Sequence, residues 1–96
     1  MALKIIWTEQ AKRGLQKVLD FLEQNWTAKE ILKLENNILK TIDLLKSFPE
    51  SFPASQKNEK LRKAIVDKNN YIIYQYDQLK QYIVILNFRG TRQMPL

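Results

Sequence analysis

The chain has 96 residues, 45% of them hydrophobic, and a net charge of +6, with neither cysteine nor histidine. That length and hydrophobic share fit one domain (1–96) around a single core, while the composition excludes disulfides, thiolate or imidazole metal sites, and Ser-His-Asp chemistry. The longest apolar run, Ile83-Val84-Ile85-Leu86, is far below the ~20 residues of a membrane span, and the N-terminal residues lack a signal-peptide pattern, so a cytoplasmic protein without membrane association is expected.

Ala2-Leu3-Lys4-Ile5-Ile6-Trp7 is β-rich and reads as a first strand. Thr8 can offer its side-chain oxygen to the unpaired amides of a following helix, and Glu9 suits the helix dipole in the first turn. Ala11, Leu15, Val18, Leu19 and Leu22 lie on one face of a helix that runs to about Asn25. Gly14 costs such a helix ~1 kcal/mol relative to alanine, which points to close approach of a neighbouring helix. Thr27-Ala28-Lys29-Glu30 has the spacing of a capping box and opens a second helix. Ile31, Leu34, Ile38, Ile42 and Leu45 form its apolar stripe, widened by Leu32 and Leu39, and Pro49 ends it. With only Asn25-Trp26-Thr27 between them, the helices must form an antiparallel hairpin, its core closed at the ends by Trp7 and Trp26.

Residues 48–58 carry two prolines, two serines and no period, and read as a loop. Leu61–Val66, Tyr71–Tyr76 and Tyr82–Phe88 read as three further strands joined by turn-forming segments. The expected fold is therefore α+β in two layers, β-α-α-β-β-β, with the helical hairpin on one face of an antiparallel four-stranded sheet. The continuous apolar run of the last strand suits an inner position, with the first strand beside it.

Residues 49–96 hold eight bases against four acids, so the positive charge is concentrated in the second half. The open sheet face and the sheet ends are where Arg62, Lys63, Tyr71, Tyr74, Tyr76, Arg89 and Arg92 are expected to gather. Arginine forks match phosphate oxygens and can stabilise charge building on a phosphate, and tyrosine rings stack on unpaired bases. For Tyr74, between Ile73 and Gln75, ordinary sheet packing is the favoured reading. Asp20, Glu23, Glu30 and Glu35 have no metal-like spacing and read as a solvated face; no metal or cofactor is expected.

These elements and their local motifs resemble the RelE/ParE superfamily of type II toxins. Trp7-Thr8-Glu9-Gln10-Ala11 is similar to the family's strand-to-helix junction, and Leu44–Pro49 to its exit from the second helix. Leu61-Arg62-Lys63-Ala64-Ile65-Val66 resembles the basic strand, and Tyr71-Ile72-Ile73-Tyr74 the strand that follows. Thr91-Arg92-Gln93-Met94-Pro95 resembles the ending of many ParE-like, plasmid-stabilisation members. The resemblance implies a toxin held in a hetero-oligomer by a cognate antitoxin, and growth arrest when it is expressed alone. It implies one of two targets: DNA gyrase, as for ParE-like members, or ribosome-bound mRNA, as for RelE-like, metal-independent endoribonucleases. A non-toxic antitoxin-binding module is the third reading. The second basic position of the RelE-like strand falls on Ala64, Tyr71 stands near an expected arginine, and no histidine or tyrosine follows Phe88, which tilts the reading toward ParE. Target contact is expected from Arg62, Tyr71, Arg89 and Arg92. If there is catalysis, Arg62, Lys63, Arg89 and Arg92 are the candidates, and Leu15, Leu22, Leu32 and Leu39 are candidates for an apolar antitoxin groove.

Overall fold

A computed structural model describes residues 3–25 and 27–90. Its elements are β1 (Lys4–Trp7), α1 (Glu9–Asn25), α2 (Ala28–Ser47), β2 (Arg62–Asp67), β3 (Asn70–Asp77) and β4 (Tyr82–Gly90). The element order is the expected one. Trp26 and the segment from Thr91 on, with Arg92 and the ending that resembles ParE-like members, lie outside the described residues.

The predicted helix stripes become the core. Ala11, Val18 and Leu22 of α1 and Leu34, Ile38 and Leu45 of α2 are buried against Ala64, Ile72, Tyr74, Ile83, Ile85 and Phe88 of the sheet. Each fully buried aliphatic side chain contributes roughly 1.5–3 kcal/mol over its exposed state. Trp7 packs at the edge of this cluster. Thr41, the buried polar residue of the α2 stripe, returns its hydroxyl to the Asn37 carbonyl at 2.9 Å, so its burial leaves no donor unmatched.

Helix ends follow the sequence at three of four points. Thr8 Oγ1 accepts from the Ala11 amide at 3.1 Å and caps α1. Phe48 closes α2 by donating its amide to the Leu44 carbonyl at 2.8 Å, just before Pro49. At the start of α2, however, Thr27 makes no side-chain capping bond. The Glu30 amide instead bonds the Thr27 backbone carbonyl at 3.1 Å, so the capping-box spacing is present without its hydrogen bonds.

The sheet order is β1-β4-β3-β2, with the last strand inside beside the first, as expected. The sheet is mixed and not wholly antiparallel: β1 runs parallel to β4, while β4–β3 and β3–β2 are antiparallel. Counting directions along the chain assumes that every connection reverses it. The connection from Phe48 to Leu61 is long enough, at ~3.3–3.6 Å per extended residue, to cross the molecule and deliver β2 in the other sense.

Gly14 does serve a close approach, but to a strand. A carbon placed on its Cα would collide with the Phe88 carbonyl oxygen and press on Asn87, so the missing side chain is what lets α1 lie against β4.

Candidate functional site

Both helices pack on one face of the sheet, and the pleat sorts the chemistry-bearing side chains between that face and the open one. In β3, Asn70, Ile72 and Tyr74 are buried under the helices, so Tyr71, Ile73 and Gln75 point the other way. Cross-strand register carries the assignment outward. Tyr71 pairs with Arg89 on one side and with Ile65 on the other, and Lys63 pairs with Ile73. Lys63, Tyr71 and Arg89 therefore share the open face.

Arg89 reaches that face because of a bulge. Ile83 and Ile85 face the core, and strict alternation would send Asn87 and Arg89 there as well. Ile73 pairs with Asn87, but the next residue, Tyr74, pairs with Ile85, which leaves Leu86 as an extra residue. The slip puts Phe88 into the core at 2% exposure and turns Asn87 and Arg89 outward. Thr8 holds this bulge from the start of α1. Its amide donates to the Ile85 carbonyl at 3.1 Å, and its hydroxyl lies 2.9 Å from that oxygen and 3.2 Å from the Leu86 carbonyl.

The result is an open groove of about 870 Å³ across the β2–β3–β4 end of the sheet. Tyr71 and Ile73 lie in its floor, Lys63 and Arg89 flank them, and Lys57 joins from the loop before β2. Lys63 Nζ stands 4.3 Å from the centre of the Tyr71 ring, a cation–π contact that leaves the ammonium at the surface. Among the described residues no carboxylate lines this groove, so three cations project into one concavity without an internal counter-charge. Nor do any three carboxylates among the described residues gather into a possible cation site.

Arg62 is not part of this face. It pairs with Tyr74, on the helix side of the sheet. Its guanidinium donates to the Phe52 carbonyl at 2.6 Å and the Glu50 carbonyl at 3.2 Å, and it lies 3.7 Å from the Glu50 carboxylate. Tyr74 is fully buried, as its packing reading required, and donates its hydroxyl to the Pro49 carbonyl at 2.7 Å. Burial raises the Tyr74 hydroxyl above its ordinary pKa, opposed by the charge of Arg62 beside it. Tyr76 also packs against the core. Of the seven residues expected to gather, the structure brings together Lys63, Tyr71 and Arg89, places Arg62, Tyr74 and Tyr76 on the helix side, and leaves Arg92 outside the described residues. Thr8, Gln10, Lys57 and Asn87, which sequence reasoning passed over, join the groove.

The four leucines on the helices divide as well. Leu22 is in the core at 9% exposure and Leu15 packs against it, whereas Leu32 and Leu39 stand on the outer face of α2 at 60% and 63% exposure.

Comparison with known proteins gives this fold a family. The model of the ParE toxin of type II toxin–antitoxin systems matches residues 5–95, and the chain belongs to that family. Among curated proteins none matches significantly. Solved structures show the same fold at low identity. The chromosomal ParDE toxin–antitoxin system of Pseudomonas aeruginosa superposes with a TM-score of 0.73 at 14% identity, covering 92% of this chain and 95% of that one. The YoeB/ParE toxin of Agrobacterium tumefaciens gives 0.66 at 13% identity, covering 92% and 98%. The RelBE2 toxin–antitoxin complex of Mycobacterium tuberculosis gives 0.61 at 17% identity, covering 94% and 99%.

Proposed function

We propose that this protein arrests bacterial growth by inhibiting DNA gyrase and that a cognate antitoxin neutralises it. The family match over residues 5–95 carries the reading. The groove chemistry favours a binding inhibitor over a nuclease. Cutting RNA needs a group to take a proton from the 2′-hydroxyl and another to protonate the leaving oxygen. The chain has no histidine, and no carboxylate lines the groove among the described residues, so both tasks would fall to Tyr71 and the lysines. Binding asks less of the same residues. Lys57, Lys63 and Arg89 supply charge, and Tyr71 supplies a flat apolar face with a polar rim.

One observation favours the RelE-like alternative, a metal-independent endoribonuclease acting on ribosome-bound mRNA. Three cations around a tyrosine ring also suit a phosphodiester with an unstacked base. One experiment separates the two. Purified protein is added to gyrase with relaxed plasmid, and to ribosomes translating a defined mRNA. Loss of supercoiling with intact mRNA is the expected result. Cleaved mRNA with normal supercoiling would transfer the protein to the nuclease reading, and no effect in either assay or on growth would leave an antitoxin-binding module.

The antitoxin is proposed to cover the outer face of α2. Leu32 and Leu39 lie seven residues apart, at the same position of successive heptads, so an apolar segment laid along that face meets both.

A further inference from the structure

Arg62, expected at the site, lies away from the groove, and its bonding accounts for it. The segment after α2 runs over the edge of β2, and two cross-strand neighbours, Arg62 of β2 and Tyr74 of β3, hold it down. Between them they bind the carbonyls of Pro49, Glu50 and Phe52, while the Phe52 ring meets the Tyr74 ring edge-on at 6.4 Å. Immediately beyond this clamp the segment pairs with the start of β2. Ala54 bridges Arg62, and the Ser55 amide bonds the Leu61 carbonyl at 2.7 Å. The next turn is closed by the Lys57 amide on Ser55 Oγ at 3.2 Å, and it is this turn that carries Lys57 to the groove rim.

We infer that Arg62 and Tyr74 are positioning residues that act from beneath the sheet, by clamping residues 49–52 so that Lys57 stands in the basic groove on its other side. The inference rests on the groove being the target-binding surface. It gives Arg62 a part in toxicity without contact, and it makes Lys57, on an irregular loop, as well placed as Lys63 and Arg89 on strands. A loop cation free to wander would lose most of its contribution, because fixing it at the moment of binding costs conformational entropy.

Two measurements on the full chain test it. In hydrogen exchange, Arg62→Gln should speed the Ser55 and Lys57 amides roughly tenfold or more while the α1 and α2 amides keep their protection. Tyr74→Phe, which removes one hydrogen bond and no charge, should do the same to a smaller degree, and it serves if Arg62→Gln does not fold. In growth assays at matched soluble expression, Arg62→Gln should lose as much potency as Lys57→Gln, and the double variant should lose no more than either. Arg89→Gln combined with Arg62→Gln should lose the product of the two. Unchanged exchange at Ser55 and Lys57 would overturn the clamp. Multiplying losses for Arg62→Gln with Lys57→Gln would overturn its action through Lys57. Full toxicity in Lys57→Gln, Lys63→Gln and Arg89→Gln alike would remove the groove reading and the positioning role with it, while the exchange result would still decide whether the clamp exists.

Discussion

Gly14, Tyr74 and Thr8 each show a single residue fixing something larger. At Gly14 two effects oppose: alanine would favour the helix by ~1 kcal/mol, but its methyl group must displace the Phe88 backbone, and overpacking of that kind costs ~1–3 kcal/mol. A strand backbone cannot yield as a side chain can, so Gly14→Ala is expected to lower the urea midpoint. A higher midpoint would mean that α1 can lift from β4 without loss. Tyr74 makes stability depend on alkaline pH. Its folded pKa is raised by burial, so the unfolded state ionises first, near pH 10. The contribution is complete below that pH and is lost as pH rises through the folded value. Tyr74→Phe should flatten the fall in melting temperature above pH 10, and an unchanged slope would show that the burial of this hydroxyl does not set it. Thr8 joins the α1 cap to the bulge that aims Arg89. Thr8→Val keeps the shape without the hydroxyl and should cost about 1 kcal/mol or more of stability together with toxicity, and Thr8→Ser should restore both. Toxicity retained in Thr8→Val would show that the bulge holds itself.

Elements were the most legible level of the sequence. The helix stripes, the break at Pro49 and the inner position of the last strand are written in apolar spacing, because burial of one face is what forms them. Arg62 and Lys63 were expected to gather together, but the pleat separates them, since neighbours on a strand face opposite ways and Arg62 alternates in phase with Ala64 and Val66. The bulge at Leu86 was not legible. Ile83 to Leu86 are all apolar, so no alternation marks where the register slips, and the slip alone decides which way Arg89 points. Lys57 gave no signal because an irregular loop has no period to place a side chain. The widened stripe of α2 was legible as a surplus: Leu32 and Leu39 exceed what the sheet can cover, and they stand exposed. Serine at both positions should leave the melting temperature nearly unchanged, since no packing is lost. It should weaken capture by the antitoxin on the proposed α2 face, measured by co-purification. Undiminished capture would move the antitoxin off α2.

At the scale of the whole molecule, the sheet separates two tasks. The helix side holds the core and the Arg62–Tyr74 clamp, and the open side carries Lys57, Lys63 and Arg89 around Tyr71. Exposed cations contribute little to stability, so this surface is free to be committed to a target, and its binding should weaken as salt rises. A steep dependence would mark phosphate contacts, and a shallow one a protein surface. The most direct measurement is growth after tightly controlled expression of the parent chain and of a Lys63→Gln, Arg89→Gln double variant, with soluble protein quantified and both forms melted. The parent is expected to arrest growth, with relief on co-expression of its antitoxin, while the double variant melts within a few degrees of it and is harmless. Normal growth at high soluble levels of the parent, or undiminished arrest by the folded double variant, would contradict the account.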